Sequence, residues 1–200
     1  MGPVGERFLM SVAQAVWLAT PVILGGAVHI AVIKLDLLRS LAGLPLDGGL
    51  RFRGRRLLGD NKTVRGAVTM IGATATFVVL QAVLSTRAGW ARPLSLVDFD
   101  RVHPLLWGVV LGGGYIAGEL PNSFIKRQLG VAPGDRPAGV LAPLFWLTDE
   151  LDGLAGVLLC MSTVWVAPLR VAVLLAGVTL VVHPAMGFVM VALGLKRQIG

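Results

Sequence analysis

The chain has 200 residues, of which 55% are hydrophobic and only 14% are charged, and its mean hydropathy is +0.77. A soluble domain of this length needs more polar surface than that, so the composition excludes an ordinary soluble protein. The formal net charge is +7. Because the sequence lacks the interleaved basic and aromatic residues of single-strand binders, this charge indicates membrane topology and lipid contact, and no nucleic-acid partner is expected.

Five stretches without Asp, Glu, Lys or Arg predict membrane-spanning helices, for which about 20 apolar residues are needed. In chain order they cover residues 8–33, 66–86, 102–118, 153–169 and 171–195. The predicted fold class is therefore all-α: a polytopic integral membrane protein with about five transmembrane helices and two cytoplasmic functional loops. We expect these to form a single domain over residues 1–200.

The loop between the first two predicted spans sets the expected orientation in the cell membrane. Residues 34–65 carry eight Lys and Arg side chains, and the positive-inside rule places such a loop in the cytoplasm. Alternation then predicts an N-terminus outside and a cytoplasmic C-terminus, with residues 119–152 also cytoplasmic. Within that second loop, residues 137–148 are apolar but too few for a span, which favours a re-entrant or interfacial segment.

The first cytoplasmic loop ends in the sequence LLGDNKTVRG. Its Asn-Lys-Thr triplet has the pattern of a glycosylation acceptor, but such acceptors are modified only on the other side of the membrane. It also lacks the glycines of a Walker loop. A topological stop signal needs only positive charge and does not explain Asp60, Asn61 and Thr63. Lys62 and Arg65 are therefore candidates for binding phosphate.

The second cytoplasmic loop begins with GELPNSFIKRQLG. A helix after Pro121 would place Ser123 and Arg127 on one face, with Lys126 beside them and Glu119 just before the proline. One carboxylate, one hydroxyl and two cations suit a metal-bound polyphosphate. The alternative is a positively charged anchor at the inner end of the span, with an ordinary helix start.

The same loop ends in LTDELDG, where Asp149 and Asp152 are three residues apart. A helix would place both on one face, with Glu150 roughly 100° away from Asp149. Two carboxylates at the mouth of a span are costly unless they are paired or bind a metal, and oxygen ligands are those that Mg²⁺ prefers. The alternative is Thr148 as a helix N-cap followed by acidic residues in the first turn.

His183 lies near the middle of the last predicted span, where an ionisable side chain is unusual. It directly precedes a proline. A neutral histidine that is hydrogen-bonded at a proline kink is the favoured interpretation, and a functional histidine is the alternative.

Taken together with LDGG at 46–49, these motifs resemble those of the CDP-archaeol synthase family and, more distantly, the CDP-diacylglycerol synthases. The chain departs from the family pattern at Glu119, where Asp is usual, at Gln128, where Arg is common, and at Glu150, where Gln or Arg is common. The resemblance implies an enzyme that transfers a cytidylyl group from CTP to a membrane lipid phosphate and releases pyrophosphate.

The resemblance also implies residue roles. Mg²⁺ would be the cofactor. The partners would be CTP, a lipid phosphate and membrane lipids. A homo-oligomer is an open alternative. The implied metal ligands are Asp149, Asp152 and Glu119; the implied catalytic cations are Lys62, Arg65, Lys126 and Arg127; the implied substrate-binding residues are Asp60, Asn61, Thr63 and Ser123.

A small transporter or channel for an anionic solute is the alternative from another functional class. It would need charged side chains along a path through the spans. In this sequence the charges gather on one predicted side and the span centres are nearly free of them. This distribution favours an enzyme at the membrane interface.

Overall fold

The computed structural model describes residues 2–135 and 139–195. The fold is helical, as predicted, with one two-stranded antiparallel hairpin in the first long loop. The elements in chain order are α1 (Pro3–Lys34), α2 (Arg39–Ala42), β1 (Arg51–Phe52), β2 (Arg55–Arg56), α3 (Val64–Arg87), a 3-10 turn (Arg92–Leu94), α4 (Pro104–Gln128), α5 (Ala142–Met161) and α6 (Leu169–Ala192).

Within the part of the chain that the structure describes, three helices are long and apolar enough to cross a membrane, namely those over Val4–Lys34, Val64–Arg87 and Leu169–Ala192. Many of their large apolar side chains are exposed, including Val181 and Phe188 on α6, and a lipid environment would accommodate them. α4 and α5 are of similar length but carry charged side chains within the helix, acidic and basic in α4 and acidic in α5. Their crossing of the membrane, and hence the number of five spans, stays a prediction.

The third predicted span ended at residue 118, but the helix there is longer. α4 continues through Pro121 and ends at Gln128, so Glu119 lies inside a regular helix. A proline within a helix removes one backbone hydrogen bond without ending the helix when neighbouring packing holds it. Here α5 provides that packing, because Gly118 lies directly against the backbone of Asp152.

The fourth predicted span, 153–169, differs most from the observed helix. α5 begins at Ala142 and ends at Met161, so residues 142–148 are its first turns and are not a separate re-entrant or interfacial segment. Residues 137 and 138 of that segment lie outside the described residues. Pro143 occupies the first turn of the helix, where proline is favoured. Thr148 is not an N-cap, since its hydroxyl donates to the Leu144 carbonyl within the helix.

α4 and α5 pack closely enough to exclude side chains between them. A Cβ atom added to Gly118 would lie 2.1 Å from the backbone oxygen of Asp152, and one added to Gly156 would lie 2.1 Å from that of Gly114. Small residues at such positions allow helices to approach backbone to backbone. This contact brings the charged C-terminal half of α4 against the acidic turn of α5.

Candidate active site

Asp47 organises the first loop from a buried position. Its side chain is 1% exposed, and it accepts hydrogen bonds from Arg56 at 2.7 Å, from the Leu58 N–H at 2.9 Å and from the Gly49 N–H at 3.0 Å. Burial raises the pKa of this carboxyl, but the hydrogen bond from Arg56 and those from the two backbone groups outweigh it, and the pKa falls to about 2. Asp47 therefore stays ionised and holds both ends of the hairpin.

The end of this loop is fixed by backbone pairing before α3 begins. Two hydrogen bonds of 2.8 Å join residues 44–46 to residues 62–64. Thr63 is the N-cap of α3, and its hydroxyl oxygen accepts a hydrogen bond from the Gly66 N–H at 3.2 Å. The backbone of Lys62 is thereby fixed just before the N-cap of α3, and its side chain extends toward α4.

A cavity of about 570 Å³ lies between α1, α3, α4, α5 and α6. Nine of the eleven predicted site residues line it, although they come from three separate segments of the sequence. Apolar side chains of α1 and α6 form another part of the wall, so the cavity has a polar part and an apolar part. The predicted residues in the lining are Asn61, Lys62, Thr63, Glu119, Ser123, Lys126, Arg127, Asp149 and Asp152.

Two ion pairs connect the elements around the polar part of the cavity. Lys62 contacts Glu119 of α4, and Lys126 of α4 contacts Asp149 of α5. All four side chains are largely buried, and buried charges are tolerated when each has a partner of opposite sign. These contacts therefore place the amino groups of both lysines inside the bundle, each beside a carboxylate.

Asn122 is a site residue that the sequence did not reveal. Its side-chain nitrogen lies 2.6 Å from Asp149 Oδ1 and 2.7 Å from Asp152 Oδ2, so one amide donates to both carboxylates. The sequence did contain a pattern that could have identified it: Asn122 is four residues before Lys126, and helical spacing places both side chains on one face. Its position directly after Pro121 concealed that spacing, since the helix was expected to start there.

The predicted metal ligands do not form one group. Asp149 and Asp152 lie together on the Asn122 amide, whereas Glu119 is engaged by Lys62. Among the described residues, no three His, Cys, Asp or Glu side chains are placed to hold a metal ion. Two adjacent carboxylates still fit Mg²⁺, which binds proteins through one or two carboxylates and completes its shell with water and phosphate oxygens.

Asp60 and Arg65 are the two predicted site residues that do not line the cavity. Arg65 Nη1 lies 3.1 Å from Asp36 Oδ1, and Asp60 is 81% exposed and pairs with Arg56. The reason is local: α3 begins at Val64, so the helical spacing that would align Lys62 with Arg65 does not apply.

The first motif contains Gly59 directly before Asp60, and the backbone there requires a glycine. Its φ of +96° lies in the region that favours glycine, and an added Cβ would lie 3.0 Å from Nη1 of Arg127. The Arg127 side chain thus lies against this turn, and this contact joins the first loop to the C-terminal end of α4.

Glu150 and His183 form a further polar contact in the cavity wall. Glu150 is 2% exposed, and its Oε2 lies 2.7 Å from Nδ1 of His183 on α6. Its Oε1 has no hydrogen-bond partner among the described residues. The predicted angle of roughly 100° around the helix between Glu150 and Asp149 agrees with their different partners. The favoured interpretation of His183, hydrogen-bonded beside a proline, fits this contact.

These features define a class: a helical integral membrane protein with a cavity that is charged in one part and apolar in another. Residues 9–199 match the profile of the CarS-like family, described as CDP-archaeol synthase, and the chain belongs to this family. The CDP-archaeol synthase of Aeropyrum pernix is 31% identical over 196 residues, which are 96% of this chain and 90% of the relative. That of Methanospirillum hungatei is 29% identical over 164 residues, 78% of this chain and 89% of the relative.

A solved structure is also similar to this one. It is described as an intramembrane enzyme for archaeal membrane lipids biosynthesis, has a TM-score of 0.60 and 29% identity, and the match covers 87% of this chain and 92% of that chain. The predicted family and the prediction of a helical membrane protein are thereby confirmed. The transporter alternative receives no support from these similarities.

Proposed function

We propose that this protein transfers a cytidylyl group from CTP to a membrane lipid phosphate, with CDP-lipid and pyrophosphate as products. The observation that carries the proposal is the convergence of three separate motifs on one cavity with a charged part and an apolar part. Such a cavity suits a water-soluble polyanion together with a lipid head group whose chains stay in the bilayer. The relatives are named CDP-archaeol synthases, which favours an archaeol-type ether phosphate as the lipid.

The proposed reaction needs little proton transfer. An ionised phosphate oxygen of the lipid attacks the α-phosphorus of CTP, a new phosphorus–oxygen bond forms, and the bond to pyrophosphate breaks. Because the nucleophile is already ionised near neutral pH, no protein base is required. The barrier comes from bringing two polyanions together and from charge that develops on the leaving pyrophosphate, so positioned positive charge is the main requirement.

The side chains of α4 and the first loop supply that charge. Lys62 and Lys126 are held in the cavity by Glu119 and Asp149, and each ammonium group has further donors for phosphate oxygens. Arg127 is buried; it donates to the Ala132 carbonyl at 3.2 Å, and its Nε has no partner among the described residues. We propose that these three cations bind the phosphates. Asn61, Thr63 and Ser123 line the cavity beside them and are proposed to position substrate.

We propose that Asp149 and Asp152 hold Mg²⁺ and that Glu119, predicted as a third ligand, instead holds Lys62 in the cavity. When bound, Mg²⁺ would neutralise phosphate oxygens and stabilise the charge on the leaving group. The Asn122 amide keeps the two aspartates together before any metal arrives, because it donates to both of them. Asp60 and Arg65, which lie outside the cavity lining, are proposed to act only by shaping the loop.

The proposed orientation follows from the loops. The basic first loop is placed in the cytoplasm by the positive-inside rule, so the polar part of the cavity would face the cytoplasm. CTP would then arrive from water, and the lipid phosphate would arrive along the apolar wall from the inner leaflet.

Incubation of the purified protein in detergent with radiolabelled CTP, Mg²⁺ and a panel of lipid phosphates tests the proposal. The panel contains an archaeol-type ether phosphate, phosphatidic acid and a lipid without phosphate as the control. We expect labelled CDP-lipid and pyrophosphate with the ether phosphate, and no product when Mg²⁺ is chelated. Absence of CDP-lipid with every lipid phosphate would contradict the proposed function.

A further inference from the structure

The Glu150–His183 contact is not used by the proposed reaction. It joins α5 to α6 inside the bundle, with Glu150 Oε2 and His183 Nδ1 2.7 Å apart. The imidazole lines the cavity and is 34% exposed, whereas the carboxylate is buried. Since Nδ1 is engaged by Glu150, Nε2 is the ring nitrogen left for a ligand, and it has no hydrogen bond within the described residues.

The contact with the buried Glu150 side chain orients the His183 ring. A buried carboxylate needs a hydrogen-bond partner. Oε1 of Glu150 has none among the described residues, so the partner of this side chain is the His183 ring at Oε2. A carboxylate at Nδ1 fixes the orientation of the ring and leaves Nε2 as the nitrogen for a ligand. A ring nitrogen in the cavity lining is placed to form a hydrogen bond with an oxygen of a phosphate group.

His183 also lies where the polar and the apolar parts of the cavity meet. Its neighbours in the lining from α6 include Val182 and Met186, whereas the lysines of the site come from the loop before α3 and from α4. A lipid with its chains along the apolar wall would place its head group at this boundary. CTP, which enters from water, would meet Lys126 and Arg127 first.

We propose that His183, oriented by Glu150, binds the phosphate of the lipid substrate and sets the affinity for that substrate, not for CTP. The proposal rests on the proposed function for the identity of the lipid phosphate as a substrate. The chemistry it recognises is a phosphate group, which the lipid phosphate, CTP and pyrophosphate all carry, so these three ligands are compared directly. His183 is the contact residue, and Glu150 is a positioning residue that acts through it.

Equilibrium binding in detergent, which needs no turnover, is the test. Radiolabelled archaeol-type ether phosphate, CTP and pyrophosphate are each titrated against the wild-type protein and its His183→Ala variant. We expect the dissociation constant of the lipid phosphate to rise roughly 10- to 100-fold, as for loss of a hydrogen bond to a charged group, and those of CTP and pyrophosphate to change less than two-fold. His183→Gln, whose amide can donate from a similar position, should recover part of the affinity.

The variant His103→Ala is a matched control. His103 also directly precedes a proline, but it is exposed at the start of α4 and does not line the cavity. We expect wild-type affinity for all three ligands. If His183→Ala does not fold, Glu150→Gln carries the test: it removes the negative charge at similar size and should weaken lipid phosphate binding at least five-fold, with CTP unchanged.

Unchanged lipid phosphate affinity in these variants would overturn the proposal. So would an equal loss of affinity for lipid phosphate and CTP, since a purely structural contact between α5 and α6 predicts that result. Failure of the wild-type protein to bind the lipid phosphate would overturn it as well. If the wild type binds the lipid phosphate but forms no CDP-lipid, the proposed function fails, whereas a selective His183 effect on binding still supports this site.

Discussion

Lys62 and Glu119 form an ion pair that joins the residue before the α3 N-cap to the C-terminal half of α4. The two residues are far apart in the sequence, and both line the cavity. Each charge offsets the cost of burying the other, and the pair leaves the remaining donors of the lysine for a ligand. This contact links the first two charged motifs directly, which no feature of the sequence could show.

Replacement of Lys62 by Met should lower kcat/KM for cytidylyl transfer by about 100-fold. The change removes a positively charged donor from the phosphates and leaves Glu119 buried without its cation. Steady-state assays with varied CTP measure the effect. Arg53→Met, which removes an exposed loop cation, is the control and should retain wild-type activity. Wild-type kinetics in the Lys62 variant would remove this residue from the site.

Replacement of Asn122 by Ala should weaken Mg²⁺ activation by about 10-fold. The amide holds Asp149 and Asp152 together, and loss of a group that orients metal ligands commonly reduces metal affinity by this amount or more. The measurement is activity as a function of Mg²⁺ concentration, with CTP saturating. A reduced maximal rate at an unchanged Mg²⁺ requirement would argue against a metal at the two aspartates.

The buried Asp47 predicts a pH-dependent stability of the first loop. Its folded pKa of about 2 lies below the ordinary value of 3.8, so its stabilisation is present above about pH 4 and is lost as the pH falls toward 2. The shift corresponds to about 2 kcal/mol at neutral pH. Asp47→Asn should therefore lower the free energy of unfolding at pH 7 by a similar amount, and the difference should vanish near pH 2.

Thermal unfolding in detergent, followed by circular dichroism at several pH values, measures this difference. Asp98→Asn is the control, because Asp98 forms an ion pair with Arg101 that is largely exposed. We expect little change in that variant at any pH. A difference between wild type and Asp47→Asn that persists at pH 2 would show that the carboxylate charge is not the cause.

Replacement of Gly118 by Ala should destabilise the protein and reduce activity together. The added methyl group would overlap the backbone of Asp152, and overpacking of this kind typically costs about 1–3 kcal/mol. The control is Gly113→Ala on the same helix, where an added Cβ meets nothing within 4 Å. Yield and unfolding temperature in detergent are compared. Equal stability of the two variants would mean that α4 and α5 are not in close contact.

Much of the fold and of the site could be predicted from sequence because the relevant signals are local. Hydropathy over about 20 residues indicates membrane helices, and short charged motifs indicate phosphate chemistry whatever the rest of the chain does. Helix ends were less predictable. A helix start was expected after Pro121, yet this proline lies inside α4, and the segment expected to be separate from the fourth span forms the first turns of α5.

By itself, the sequence determined a helical membrane protein of this family, with most of its charged residues in two segments between predicted spans. Only the tertiary structure decided how those residues pair. Asn122 joins Asp149 to Asp152, Glu119 receives Lys62, and Arg65 turns away to Asp36. The physical reason is that contacts between helices depend on where backbones can approach. Here the glycines at the α4–α5 crossing set that approach, and no spacing within one segment encodes it.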